Sequence, residues 1–350
     1  MSEKFRSKAA WWLLLLVICT HFCLVYIQNS QPFLNLDQYL HGTAKVPYQY
    51  RVLMAWVLRA ALRIPHLATF TTRLPPSLRD PRTFILFVTS WVSLLGSVLF
   101  TRRSLFRLTE NERYSRWASL LVVYMAYFQF PLSFGLDFLL PYDLPSLFFF
   151  CACVYGVIAR QMPLFYLGFV VGTFNRETIC MATLFLLLWR WHERKPGKQL
   201  LWLSGHILAQ AALWILIKLY LHHLFAGNPA ELGSGSFYYK LGYNLQTILK
   251  PQQWPVLLSV FGFTLPLVLA GRRWMKNAAM ERAIYLMAAW FAVMMMVGVI
   301  IEVRIFSELI SYMALAVGLI VYHRFLAEKL HTDTGRTKSA APDSVAAAAE

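Results

Sequence analysis

The chain has 350 residues, of which 58% are hydrophobic and only 14% charged, with a net charge of +16. A soluble domain carries about 25% charged residues. This composition, with 26 Phe, 17 Tyr and 12 Trp, excludes a disordered chain, a collagen-like chain and a disulfide-rich secreted scaffold, and argues against a soluble enzyme.

Apolar runs of roughly 17 to 25 residues recur along the chain, which is the pattern of an all-α, polytopic transmembrane helical bundle. Residues 1–8 are short and basic, and 11–28 are apolar. That run is long for a signal peptide and no small-residue cleavage site follows it, so it reads as an uncleaved first helix. Next, 49–64 carries Arg51, Arg59 and Arg63. On one helix these fall within about 120° of each other, which predicts an interfacial amphipathic helix.

Further spans are expected at 84–100, 117–134, 144–159, 201–221, 255–270, 283–301 and 307–322. The interval 163–189 is apolar but interrupted by Asn175, Arg176 and Glu177. It is short for two full crossings at about 1.5 Å per residue. Arg160 on one side of it and Arg190, Arg194, Lys195 and Lys198 on the other both favour the cytoplasmic face. A broken or re-entrant hairpin bent near Asn175 and Glu177 satisfies both, and the alternative is one long tilted helix with a buried charge pair. The expectation is about eight to ten passes, in one transmembrane domain over 1–330, followed by a disordered cytoplasmic tail over 331–350 rich in Ala, Ser, Thr and Asp.

Lys4, Arg6 and Lys8 place the N-terminus inside, and so do Arg102, Arg103, Arg107, Arg113 and Arg116 for their loop. Arg272, Arg273 and Lys276, then Arg324 and Lys329, follow the same rule and place the C-terminus inside. The positive charge is therefore topogenic, and no compact basic, aromatic-interleaved patch points to nucleic acid. Cys19, Cys23, Cys151, Cys153 and Cys180 lie in apolar runs without a zinc-type spacing, and read as packing residues. No P-loop, G-x-S-x-G or HExxH pattern is present, and no internal repeat.

The unusual polar residues then gather on the extracytoplasmic side. Asp37, in the first outer loop, is either a carboxylate able to deprotonate a hydroxyl at the membrane surface or a turn or N-cap residue. Arg51 either rests on anionic headgroups or holds a lipid phosphate. Asp137 and Asp143 share one short loop. They could bind a divalent cation or a sugar hydroxyl, and Asp143 could instead cap the following helix. Arg176 and Glu177 inside an apolar run are costly, and being adjacent on a helix they should meet different partners. Arg304, between Glu302 and Glu308, is placed to meet an anionic group or to pair with Glu177 or Glu308. Lys218, His222 and His223 read as snorkelling groups.

The order of these features resembles the GT-C superfamily of integral-membrane glycosyltransferases, which use polyprenyl-phosphate-linked sugars. Asp37-Gln38-Tyr39 is similar to that family's acidic residue and aromatic after the first span. Pro47-Tyr48-Gln49-Tyr50-Arg51 looks like its Pro- and Arg-containing start of an amphipathic segment. The stretch from Tyr142-Asp143-Leu144-Pro145 to Arg176 looks like its helix, short basic turn and helix. Glu302-Val303-Arg304-Ile305-Phe306 looks like its acidic-x-Arg-Phe motif. The likeness covers 11–322 in outline, and it departs where many members carry two acids early in the first loop.

The resemblance implies an inverting sugar transfer outside the cytoplasmic leaflet, and the compact chain with short loops suggests a bacterial inner membrane. Asp37 would be the general base, and Glu177 would orient Arg176 or the acceptor. Arg51, Arg176 and Arg304 would bind the departing polyprenyl phosphate, with Asp137, Asp143, Asn175 and Glu302 as candidate substrate contacts. Its partners would be a polyprenyl-phosphate-linked sugar and membrane lipids. No nucleotide cofactor is implied, and no metal is required. Two other readings remain open: a carrier or flippase of a lipid-linked glycan or other anion, and a structural subunit of an envelope assembly.

Overall fold

The computed structural model describes residues 3–191, 197–231 and 237–326. The expected tail at 331–350 lies outside the described residues. The chain begins with α1 (Glu3–Asn29), followed by the short α2 (Leu36–His41), α3 (Leu53–Leu62) and α4 (Leu67–Thr71). Next come α5 (Pro81–Thr109), α6 (Glu112–Ala118), α7 (Leu121–Gln129), α8 (Asp143–Ile158) and α9 (Met162–Asn175). The remainder comprises α10 (Met181–Arg190), α11 (Lys198–Leu224), α12 (Phe237–Leu249), α13 (Trp254–Leu258), α14 (Leu265–Gly271), α15 (Ala278–Arg282), α16 (Ile284–Val297) and α17 (Ile310–Val321). A two-residue parallel pairing joins Gln31–Pro32 to Phe138–Leu139, tying the end of α1 to the loop before α8.

Among the described residues, five helical stretches are long and apolar enough to cross a membrane: Ser7–Asn29, Pro81–Thr109, Leu200–Leu224, Ala278–Val297 and Val303–Leu326. They differ in position. In Val303–Leu326 89% of the most apolar 18-residue stretch is buried and the helix forms the centre, whereas in Leu200–Leu224 the share is 11%. That outer helix exposes Leu201, Leu208, Ile215, Leu216 and Leu219. A row of exposed large aliphatic side chains is stable only against an apolar solvent. The protein is a helical membrane protein.

The ends of α5 follow local rules. Asp80 caps its start by accepting from the Thr83 amide, Pro81 occupies the first turn, and Glu110 closes the far end in the left-handed region. Two expected spans are not continuous helices. The run 117–134 breaks between α6 and α7 and leaves the helix at Phe130. The run 255–270 breaks into α13 and α14, because Phe261, Gly262 and Phe263 have φ of 58°, 62° and 62°. Left-handed residues cannot continue a right-handed helix. The Tyr124 ring packs so closely on Gly262 that an added Cβ there would lie 2.5 Å from it.

The helix expected to carry three arginines on one face begins only at Leu53. Arg51 precedes it and is 8% exposed, while Arg59 and Arg63 are exposed. The three therefore do not share a face.

At Arg176 the backbone is extended, with φ −159° and ψ 136°, and it separates α9 from a 3-10 turn at Glu177–Cys180 and then α10. The neighbouring α11 shows the path of the chain. Its Trp202 ring lies 6.0 Å from the Arg190 guanidinium at the end of α10, and His206 hydrogen-bonds Tyr166 near the start of α9 at 2.7 Å. Its Trp214 donates to the Glu177 carbonyl at 3.0 Å. Trp202 and Trp214 are about 18 Å apart along a helix. The chain thus runs up α9, turns at Arg176 and Glu177, and returns along α10.

Buried Asn244 on α12 fixes the end of α16. Its amide nitrogen donates to the Met295 and Gly298 carbonyls at 3.0 and 2.9 Å, and its oxygen accepts from the Ile300 amide at 3.1 Å. Asn244→Ala strands these groups and is expected to lower stability by about 1–3 kcal/mol. Thermal unfolding in detergent checks this, and an unchanged midpoint would contradict it.

Candidate functional site

Three segments far apart in sequence meet at one end of α8. Arg51 follows the 3-10 turn Tyr48–Tyr50. Its Nη2 lies 3.0 Å from Glu177 Oε1, and its guanidinium sits 4.4 Å from the Tyr142 ring centre. The Tyr39 hydroxyl donates to the Arg51 carbonyl and fixes its backbone. Arg176 is released from helical geometry by the break after α9. Its Nη1 lies 3.5 Å from Asp143 Oδ1 and 3.3 Å from Glu308 Oε1. Arg304 is the second residue of the 3-10 turn Val303–Leu309. Its Nη1 lies 3.1 Å from Asp143 Oδ2 and its Nη2 2.5 Å from Glu302 Oε2, with the Phe138 ring 5.5 Å away.

Asp143 is the hub, 0% exposed, with one oxygen toward each of two arginines. Asn175 latches the end of α9 to the start of α8, donating to the Tyr142 carbonyl and Ser146 Oγ at 2.8 Å each. Thr178 donates to Glu308 at 2.5 Å. Several buried atoms are left without a hydrogen-bond partner: Arg176 Nε, Arg304 Nε, the Tyr142 hydroxyl, Asn175 Oδ1 and Asp137 Oδ1. Each such group costs about 1–3 kcal/mol when unmet. Gln129 and Gln210 hold such atoms elsewhere, but here the atoms lie on charged groups and against them, where an unmet donor or acceptor can serve a bound polar group.

The cluster therefore gathers Arg51, Arg176, Arg304, Asp143, Asn175, Glu177 and Glu302. Arg176 and Glu177 do point to different partners. Glu177 pairs with Arg51 rather than orienting Arg176, and Arg304 pairs with Asp143 and Glu302 rather than with Glu177 or Glu308. Asp143 does not cap α8; its carboxylate is committed to the arginines, which also leaves it unfit for a cation. Among the described residues no group of three or more His, Cys, Asp or Glu is arranged to hold a metal ion.

Asp37 lies apart. It sits in the first turn of α2, its side chain 62% exposed and 2.7 Å from Arg82, while Asn35 provides the cap. Two residues on, about 200° around the helix, Tyr39 is buried toward Arg51. Asp37 is thus turned away from the arginines. Asp137 adjoins the cluster: Ser30 Oγ donates to its Oδ2 at 2.7 Å, and the next residue, Phe138, lies against Arg304. Burial pushes the Asp137 carboxyl up to about 6, against the opposing pull of Ser30 and Arg304.

Glu308 was expected only as a pairing partner of Arg304, and Tyr39 and Tyr142 only as members of short motifs, yet all three are part of the cluster. Glu308 had a usable signal, an acid inside the apolar run after Arg304. Beyond those motifs the two tyrosines carried no signal of their own, since aromatics are abundant throughout.

The chain matches no family model, no curated protein and no solved structure.

Proposed function

We propose that the protein is a GT-C-like membrane glycosyltransferase. It takes a sugar from a polyprenyl-phosphate donor and passes it to an envelope glycan or lipid acceptor on the extracytoplasmic side of a bacterial inner membrane, in a bundle of about eight to ten passes. The supporting observation is the convergence of Arg51, Arg176 and Arg304, each at most 8% exposed, with spare N–H donors on Arg176 and Arg304.

The chemistry follows from the charges. As the glycosidic bond breaks, the departing phosphate gains negative charge. Guanidiniums already held in place by Asp143, Glu177, Glu302 and Glu308 stabilise that charge without reorganising. Their carboxylate partners keep the empty cluster from repelling itself apart, and the unmet Nε–H groups are the ones a phosphate engages. Glu302, at the rim with 20% side-chain exposure, faces the sugar hydroxyls.

Native mass spectrometry of the gently purified protein tests this reading. The wild type is expected to carry a polyprenyl-phosphate sugar that Arg304→Ala loses. Ordinary phospholipid in equal amounts on both samples would overturn the donor site and favour a carrier of another solute or a structural subunit.

A further inference from the structure

We propose that Asp137, not Asp37, is the general base of the transfer, taking the acceptor hydroxyl's proton on Oδ1; this rests on the glycosyltransferase reading above. Ion pairing eliminates the other carboxylates in and near the cluster. An arginine in contact favours the ionised form of an acid and makes it a poor proton acceptor. Asp143 is held by Arg176 and Arg304, Glu302 by Arg304, Glu308 by Arg176, and Glu177 by Arg51. Asp37 is held by Arg82. Among the described residues Asp137 forms no ion pair. It accepts one hydrogen bond, from Ser30, and its Oδ1 is buried without a partner.

Its position is fixed. The Gln31 amide donates to the Asp137 carbonyl at 3.2 Å, and the Tyr26 hydroxyl reaches the Phe138 carbonyl at 3.4 Å. The charged and titratable groups facing it are Tyr26 from α1, Asp143 from α8 and Arg304 from the central 3-10 turn, beside the Ser30 hydroxyl. Base and phosphate-binding arginine therefore sit side by side, with the Phe138 ring under the guanidinium.

The step balances without a further reactant. The acceptor O–H gives its proton to Asp137 Oδ1 while its oxygen bonds to the anomeric carbon. The bond from that carbon to the phosphate oxygen breaks, and its electron pair leaves on the polyprenyl phosphate. Water then takes the proton from Asp137. A base with a carboxyl near 6 is suited to this task at neutral pH. Asp137→Asn keeps an oxygen for the Ser30 hydrogen bond and breaks no ion pair among the described residues, so it is expected to fold, which an unchanged thermal midpoint in detergent checks. A carboxyl raised from 3.8 to about 6 stabilises the fold fully only below 3.8, and that contribution is lost as pH rises through 6. Removing the charge at pH 7 thus relieves, rather than adds to, the cost of burying it.

The test uses the full-length protein in two assays. Binding of undecaprenyl phosphate is read by native mass spectrometry. Transfer is read in permeabilised membranes from cells fed 14C-glucose, as label moving from polyprenyl-phosphate sugars into glycan. Asp137→Asn is expected to bind the lipid as the wild type does, to slow label transfer about 100-fold or more, and to lose the acid limb of the pH profile. Asp37→Asn is expected to transfer within about threefold of wild type. If the wild type binds and transfers but Asp137→Asn keeps its rate and pH profile, the base assignment alone is overturned. If the wild type neither binds undecaprenyl phosphate nor moves label, the glycosyltransferase reading fails and takes the base with it.

Discussion

Asp143→Asn is expected to lower the stability of the protein by about 3–5 kcal/mol. Asp143 has no exposed surface, and its two oxygens lie 3.5 Å from Arg176 and 3.1 Å from Arg304. An asparagine has the same shape but no charge. It leaves two guanidiniums buried, each about 5% exposed at the side chain, with Glu308 and Glu302 as their remaining acids. Removing one member of a buried ion network costs much more than the network itself contributes, because the uncompensated charge has no water to return to.

Asp37→Asn is the control. Its partner Arg82 is 36% exposed and Asp37 itself 62%, so its loss should cost no more than about 1 kcal/mol. Thermal and denaturant unfolding in detergent compares the two. Equal midpoints would show that the Asp143 cluster is solvated and would remove the low-dielectric argument for its role. Asp143→Leu combined with Arg304→Met, Arg176→Met and Glu308→Gln, which leaves no fully buried charge of the network unpaired, should recover much of the loss. That outcome would separate the cost of stranded charge from a packing defect.

The cluster was partly legible in the sequence, for an energetic reason. Arg176, Glu177 and Arg304 interrupt apolar runs, and a charge there persists only where something compensates it. Their partners were not legible, since Arg51 and Glu177 are 126 residues apart and Arg304 and Asp143 are 161 apart. Asp37 and Arg51 misled through local geometry. The six residues of α2 turn Tyr39 and Leu40 inward and so turn Asp37 out. Helix α3 starts two residues after Arg51, and that small shift takes the arginine off the helical face assigned to it.

Hydropathy located α1, α5 and α11 because each is one uninterrupted apolar helix. It could not locate the break at 261–263, where composition stays apolar and the Tyr124 ring, 138 residues away from Gly262, sets the backbone. Only the polarity at Asn175, Arg176 and Glu177 made the other break visible.

Gly135→Ala is expected to disturb the site from outside it. A Cβ at Gly135 would lie 2.1 Å from the Ile301 carbonyl oxygen and 3.0 Å from Val256 Cγ1. The first contact is with backbone, so no side-chain rotation relieves it. One of two loops must move, the one leading to Asp137 or the one leading to Glu302 and Arg304. The expected cost is about 1–3 kcal/mol, with loss of the lipid retained by the wild type. Gly205→Ala, on α11 with nothing within 4 Å of the added carbon, should instead leave the protein unchanged or stabilise it by up to about 1 kcal/mol. Melting curves and native mass spectra of both variants decide the matter. A Gly135→Ala protein that melts and binds like wild type would mean that the two loops are not in register as described. Asp137 and Arg304 would then not be held side by side, and the reaction geometry built on them would fall.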